Sequence, residues 1–123
     1  MLHNSIDALS QGSGQPAQPA ALLVKSCSDF EPSGTGDNQG WNKAEWNNLV
    51  KLDTGGNTNT TRFKILYSTK GVYVLFKGDD DKISTRYDKD FDDLYNGDVF
   101  EVFFHTDPKT PIYLEYEVNQ LNK

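Results

Sequence analysis

Residues 62–77 read RFKILYSTKGVYVLFK. The two halves of this stretch, Arg62–Ser68 and Gly71–Lys77, are rich in the β-branched and aromatic residues that favour strands. The residues between them, Thr69-Lys70-Gly71, have the length and composition of a hairpin turn. The pattern therefore predicts an antiparallel β-hairpin in the middle of the chain.

A second pair of strands is predicted at Val99–His105 (VFEVFFH) and Ile112–Asn119 (IYLEYEVN), separated by a turn that contains two prolines. Alternation along VFEVFFH puts apolar residues on both faces, as in a strand that is covered on both sides, and Glu101 is the exception. The predicted fold class is all-β, an antiparallel β-sandwich. Four clear strands are fewer than the seven or so of a common sandwich, so the chain is either a small domain or the N-terminal portion of a larger one.

The N-terminal third is less regular. Residues 10–19 read SQGSGQPAQP, which buries too little apolar surface to fold, so we expect a tail or linker over residues 1–20 and a domain over residues 21–123. Residues 41–52 are the one place for a short helix, because Trp41, Ala44 and Leu49 have a loose helical spacing.

Charge and composition exclude several classes of function. The net charge of −6 leaves no basic field for phosphates, so we expect neither nucleic acid nor an anionic membrane surface as a partner. The longest apolar run, residues 20–24, is far shorter than the roughly 20 residues of a membrane span, so no membrane insertion is expected. Cys27 is the only cysteine, which excludes an intrachain disulfide and a zinc site built on paired thiolates. We expect a monomeric domain.

Two acidic stretches, at residues 79–81 and 88–93, resemble the oxygen-rich loops that bind calcium. An EF-hand beginning at Asp88 fails, because Asp93 and Val99 stand where the turn glycine and the closing glutamate belong. The stretches are therefore either solvated loops or a looser site for a structural calcium ion. No cofactor is required by the sequence, and the candidate calcium ligands are Asp80, Asp81, Asp90 and Asp92.

A catalytic interpretation depends on Glu115 and Glu117. They lie two residues apart on one strand, about 7 Å by strand rise, within the separation of inverting glycosidase carboxylates. Every E-x-E in a strand has this spacing, so hydrogen bonding on the sheet face is the alternative interpretation. Nothing else in the sequence forms a convincing active site, and we expect a protein without catalytic activity.

Sugar binding needs an exposed aromatic ring for the C–H face of the sugar and nearby carboxylates or amides for its hydroxyls. The segment Tyr95-Asn96-Gly97-Asp98, in a loop before a strand, has this composition. Glu101 either binds a hydroxyl or satisfies a loop amide or Arg86. The candidate ligand-binding residues are Tyr95, Asn96, Asp98, Glu101, Trp41 and Tyr116.

Three motifs occur in order in the second half of the chain: KILYSTKGVYVLFKGDD, DLYNGDVFEVFFHTDP and YLEYEVN. Together they resemble the family 9 carbohydrate-binding modules and their divergent relatives. The resemblance implies a β-sandwich that binds plant-type polysaccharide or oligosaccharide without catalysis. It also implies an extracellular or periplasmic domain that acts beside polysaccharide-degrading enzymes.

The resemblance also places individual residues. Tyr95 stands at the position of a sugar-stacking tryptophan, with Asp98 and Glu101 following it. Glu117 stands where some members have a ligand-contacting arginine, so this sequence is closer to the divergent branch. Some members carry structural calcium ions. The alternatives are an accessory domain or fragment of a glycoside hydrolase, and a purely structural secreted β-domain.

Overall fold

The structure is a computed structural model that describes residues 21–50, 59–84 and 86–123. The tail or linker predicted over residues 1–20 lies outside the described residues. Among those described, short 3₁₀-helices accompany a set of β-strands. In chain order the elements are β1 (Lys25–Ser26), a first 3₁₀-helix (Gln39–Lys43), β2 (Asn47–Asn48), β3 (Thr61–Tyr67), β4 (Val72–Gly78), a second 3₁₀-helix (Leu94–Asn96), β5 (Val99–Phe104) and β6 (Leu114–Asn119).

The predicted central hairpin is confirmed as β3 and β4. The two strands pair antiparallel along their whole length, from Thr61 opposite Gly78 to Tyr67 opposite Val72. The turn closes where the Ser68 N–H donates to the Gly71 carbonyl at 2.9 Å. The Ser68 hydroxyl accepts from the Lys70 N–H at 3.0 Å, a local side-chain bond typical of tight turns.

β3 is the central strand of the first sheet. β4 pairs along it, and two short strands add to it at opposite ends. β1 runs parallel to β3 beside Leu66 and Tyr67, while β2 runs antiparallel to it beside Arg62 and Phe63. This sheet therefore has one long hairpin and two short flanking strands.

The second predicted pair of strands is confirmed as β5 and β6, which form a separate antiparallel sheet. The two sheets meet where the ring of Phe76 on β4 stacks on the ring of Phe100 on β5, with centroids 4.7 Å apart and nearly parallel planes. The backbone of Gly78 also lies against the Phe100 ring, where a β-carbon would come within 3.2 Å of it. The all-β, two-sheet prediction is confirmed.

The best-buried part of the core lies on the face of the first sheet that is opposite Phe76. Leu66 is fully buried there, packed with Trp41 and Ala44. Phe30 meets Trp41 edge to face at 5.2 Å and stacks on Tyr73 at 4.5 Å. The loop before β2 is therefore held to the sheet by a cluster of aromatic rings.

The predicted helix over residues 41–52 is wrong in its described part. The structure has a 3₁₀-helix at Gln39–Lys43, followed by the extended strand Asn47–Asn48. The Asn38 side chain caps the 3₁₀-helix by accepting from the Gly40 N–H at 2.8 Å, and pairing with β3 then holds the asparagine backbone extended. Sheet pairing outweighs a loose helical spacing in a segment with poor helix formers. Residues 51 and 52 lie outside the described part of the chain.

No helix in the described ranges is long and apolar enough to cross a membrane.

Candidate functional site

The β5–β6 sheet has two chemically different faces, because side chains alternate along each strand. One face carries Phe100, which contacts Phe76 of the first sheet, and it includes Tyr116. The opposite face is turned away from that contact. We call this opposite face the acidic face and define it by Glu101, Phe103, Glu115 and Glu117.

The strand register brings the three glutamates together. Glu101 pairs directly with Glu117, and Phe103 pairs with Glu115. One carboxylate oxygen from each glutamate lies within 4.8 Å of the others. Three negative charges in so small a space repel one another, and they form a strong group of hydrogen-bond acceptors.

The surroundings of Glu117 raise the pKa of its carboxyl group. Partial burial raises its pKa above the usual 4.5, and the negative charges of Glu101 and Glu115 raise it further. A hydrogen bond with the backbone of Tyr95 acts in the opposite direction. Glu117 therefore holds a proton to a higher pH than an isolated glutamate does.

Tyr95 lies beside these carboxylates in the second 3₁₀-helix. Leu94 is buried and anchors the helix, while the Tyr95 side chain is 60% exposed. The helix is closed by the Gly97 N–H, which donates to the Leu94 carbonyl at 2.8 Å. Tyr87 packs so closely on Gly97 that a β-carbon there would lie 3.2 Å from its ring. A buried anchor and a tight turn thus expose an aromatic ring on the 3₁₀-helix whose backbone, at Tyr95, hydrogen-bonds with Glu117.

An open groove continues from the acidic face toward the first sheet. Glu101 and Phe103 line it together with Leu49 and Phe76. Phe103 is itself exposed and lies 5.5 Å from the ring of Tyr113. The site thus combines acceptors, exposed aromatic rings and a shallow groove.

Of the sequence-predicted ligand residues, the structure brings Tyr95 and Glu101 to this site. Asn96 is exposed beside Tyr95, and its side chain makes a long hydrogen bond of 3.4 Å to the Asp93 carbonyl. The Asp98 carboxylate accepts from the Ser84 N–H, which holds the preceding loop. Asp98 thus fixes a backbone segment near the site.

Two predicted residues lie elsewhere: the burial of Trp41 corrects the expectation for that residue, whereas a ligand role for Tyr116 stays a prediction. Trp41 is only 3% exposed and packs on Leu66 in the core of the first sheet, so its ring has no face for a ligand. Tyr116 is 63% exposed but lies on the other face of β6 from the three glutamates. Both residues were chosen by residue type. Burial decides the position of Trp41, and the alternation of side chains along β6 decides that of Tyr116.

Among the described residues, the four aspartates predicted to bind calcium do not form a group close enough to share an ion, and calcium binding stays a prediction. Asp80 and Asp92 accept from the backbone N–H groups of Lys82 and Lys89, and Asp90 lies 3.9 Å from the ammonium of Lys123. Asp80 and Asp92 therefore bond to the backbone of their own turns, and Asp90 forms an ion pair. Among the described residues, the group of acids close enough to hold an ion is the glutamate trio of the acidic face.

Glu115 and Glu117 lie two residues apart on β6, about 7 Å by strand rise, and their side chains bring one carboxylate oxygen of each to within 4.8 Å of the other. Glycosidases place two carboxyl groups on either side of a sugar, about 5–5.5 Å apart in retaining enzymes and about 6.5–9.5 Å in inverting ones. Here the carboxylates lie side by side on one open sheet face. The geometry suits acceptance of hydrogen bonds from hydroxyl groups better than cleavage of a bond between the two acids.

Sequence reasoning missed Glu115 and Glu117 as binding residues, and Phe103 as an exposed ring. The signal that could have found the glutamates is the register of the second hairpin, which puts Glu101 opposite Glu117. It also missed Trp46, which is partly exposed and contacts two cations, Arg62 and Lys64.

Comparison with known proteins agrees with this architecture. The model of one family, described as carbohydrate family 9 binding domain-like, matches residues 33–122. No curated protein and no solved structure matches the chain. The matched range contains both strand pairs, Tyr95 and the whole acidic face. The chain therefore belongs to the carbohydrate family 9 binding domain-like family.

Proposed function

We propose that this domain is a non-catalytic module that binds a poly- or oligosaccharide on its acidic face. The observation that supports the proposal most directly is the glutamate trio on an open sheet face, with Glu117 hydrogen-bonded to the backbone of the exposed Tyr95. Glu101 of the trio also lines an open groove. Neutral sugars present two kinds of surface, apolar C–H patches and hydroxyl edges, and this site has a counterpart for each.

Tyr95 supplies the platform in this proposal. Its ring stacks on the C–H face of a sugar ring, and its buried neighbour Leu94 keeps the platform fixed. A platform that is already ordered loses little conformational entropy on binding. Phe103, along the same sheet face, offers a second apolar contact for the next sugar of a chain.

The glutamates recognise the hydroxyl edge. Ionised carboxylates accept hydrogen bonds from hydroxyl groups, and a charged acceptor makes the stronger bonds. When Glu117 is protonated, its carboxyl group also donates, so this residue can bind a hydroxyl in either direction. The cluster favours neutral or cationic sugars, because a negatively charged sugar would be repelled.

The second candidate function is glycoside hydrolysis, and the raised pKa of Glu117 beside two other carboxylates is the observation in its favour. Against it stands the side-by-side placement of the acids. The family is usually non-catalytic. We therefore propose binding without turnover.

The wider setting is proposed from the family and the charge. Domains of this family are typically extracellular, so we propose an extracellular or periplasmic location and a role in polysaccharide catabolism. The net charge of −6 makes nucleic acid and membrane surfaces unfavourable partners. We propose a monomer that requires no cofactor.

The test is a glycan-array screen of the purified domain, repeated with Tyr95→Ala and with Tyr116→Ala. Tyr116 is a matched control, because it is equally exposed and lies on the opposite face of β6. Binding that is lost in Tyr95→Ala and kept in Tyr116→Ala supports the proposal. An array without any signal from folded protein, or equal loss in both variants, would count against the acidic face.

A further inference from the structure

A second surface with the opposite charge lies on the first sheet. Trp46 is 37% exposed, and its indole ring contacts two cations of β3. The guanidinium carbon of Arg62 lies 5.0 Å from the ring centroid, and the ammonium of Lys64 lies 5.1 Å from it. A partly exposed aromatic ring is thus bordered by two positive charges.

Strand geometry adds a third cation. Arg62 and Lys64 are two residues apart on β3 and share a face, and Arg62 pairs directly with Lys77 of β4. We call the surface of Trp46, Arg62, Lys64 and Lys77 the cationic face. In the part of the chain that the structure describes, none of these three cations forms an ion pair.

This arrangement has an electrostatic cost. Like charges directly opposite each other destabilise a sheet, and the Arg62–Lys77 pair is such a case. The chain has 18 acidic and 12 basic residues, yet three of the basic ones are gathered here. An anion bound between them would turn the repulsion into attraction.

The donors are arranged to receive such an anion. Lys64 is fixed by donating to the Trp41 carbonyl at 2.9 Å, which holds one ammonium beside the indole. The guanidinium of Arg62 carries five N–H donors in a planar fork that matches a carboxylate. The part of the indole ring that stays exposed beside the two cations offers an apolar contact for the C–H groups of a sugar.

We propose that the cationic face binds a uronate residue of an acidic polysaccharide, with its carboxylate on Arg62 and its ring on Trp46. This inference rests on the proposed function in that it takes the ligand to be a saccharide, but the site is a different one. The acidic face repels a uronate, whereas the cationic face attracts it. The domain then holds neutral and acidic sugars on separate surfaces.

The experiment is a calorimetric titration with a galacturonate oligomer, its neutral methyl ester and a sulfated oligosaccharide. The wild-type chain is compared with Arg62→Gln, Trp46→Phe and the control Lys70→Gln, an exposed cation in the β3–β4 turn. Charge-assisted hydrogen bonds predict that Arg62→Gln weakens uronate binding by about tenfold or more. Lys70→Gln should match the wild type within about twofold, whereas Trp46→Phe leaves a smaller ring for the sugar and should weaken binding by about threefold or more. Rising salt should also weaken binding.

Several results would overturn the proposal. They are no binding of the galacturonate oligomer, equal binding of its methyl ester, a preference for the sulfated sugar, or unchanged affinity in Arg62→Gln. A neutral oligosaccharide titrated into Tyr95→Ala tests the acidic face separately. Loss of neutral-sugar binding there, with uronate binding kept, would show that the two surfaces act independently.

Discussion

Glu101 and Glu117 lie directly opposite each other across the β5–β6 ladder. Two carboxylates therefore share one cross-strand position, and Glu115 joins them on the same face. Such a pair destabilises the sheet when both acids are ionised. The same pair concentrates acceptors beside Tyr95, so the feature that weakens this sheet is the one that suits it to bind hydroxyl groups.

The first prediction concerns the pH dependence of stability. The pKa of Glu117 is raised in the folded protein, so its contribution to stability is fully present below the unfolded pKa near 4.5 and is lost as the pH rises through the folded value. Glutamine does not ionise, so the Glu117→Gln variant does not lose stability in this way as the pH rises. We expect the variant to gain in Tm relative to the wild type between pH 4 and pH 7.

Thermal melts of the two proteins across this range measure the effect as a difference. The comparison is necessary because Asp29 and Asp37 have lowered pKa values, held down by hydrogen bonds from Ser68 and Ser33 respectively. The two aspartates stabilise the folded protein at pH values above the usual aspartate pKa of 3.8. This stabilisation is lost as the pH falls, which is the opposite of the trend expected from Glu117. A Tm difference that does not change with pH would contradict the prediction.

The second prediction concerns the core. Leu66 is fully buried between Trp41 and Ala44, so Leu66→Ala leaves a cavity and should lower the free energy of unfolding by about 2–5 kcal/mol. Leu114→Ala is the control, because Leu114 is exposed on β6 and should cost less than about 0.5 kcal/mol. Urea unfolding followed by fluorescence measures both. Equal effects would mean that the core lies elsewhere.

The third prediction concerns catalysis. We expect no hydrolysis of any oligosaccharide that the domain binds, because the three carboxylates lie on one side of the bound sugar. Incubation with a bound oligosaccharide, followed by chromatography of the products, checks this. Cleavage by the wild type that disappears in Glu115→Gln would contradict the binding-module account and support the hydrolase.

The fourth prediction concerns calcium. We expect a chelator to leave the Tm unchanged, because the acidic loops already use Asp80, Asp90 and Asp92 in backbone hydrogen bonds and an ion pair. Differential scanning calorimetry with calcium and with a chelator measures this. A fall in Tm that calcium reverses would contradict the expectation, and comparing Asp80→Asn with Glu115→Gln would then locate the ion.

The elements that the sequence predicted best are those determined locally. Runs of β-branched and aromatic residues on either side of turn residues predicted two hairpins, and the structure contains both hairpins. The helix over residues 41–52 failed because β2 pairs with β3, a contact between distant segments that no local pattern reports. A hairpin can be predicted from a short stretch of sequence because its two strands are neighbours along the chain, whereas pairing between distant segments cannot.

The candidate site was likewise predictable from the sequence only in part. Tyr95 and Glu101 were proposed as ligand residues because an aromatic residue in a turn and a carboxylate in an apolar strand are both exceptions to local expectation, and their role in binding stays a prediction. Trp41 and Trp46 have similar neighbours in sequence, yet the first is buried under the sheet and the second is partly exposed. Only the packing of Phe30 and Leu66 around Trp41 separates them.

The central claim is that Tyr95 and the acidic face bind a neutral saccharide. The most direct test is calorimetric titration of one neutral oligosaccharide, chosen from the glycan array, into the wild type, Tyr95→Ala and Tyr116→Ala. We predict that Tyr95→Ala weakens binding about fivefold or more, as expected for a lost stacking contact, while Tyr116→Ala matches the wild type. Unchanged affinity in a folded Tyr95→Ala variant would contradict the account.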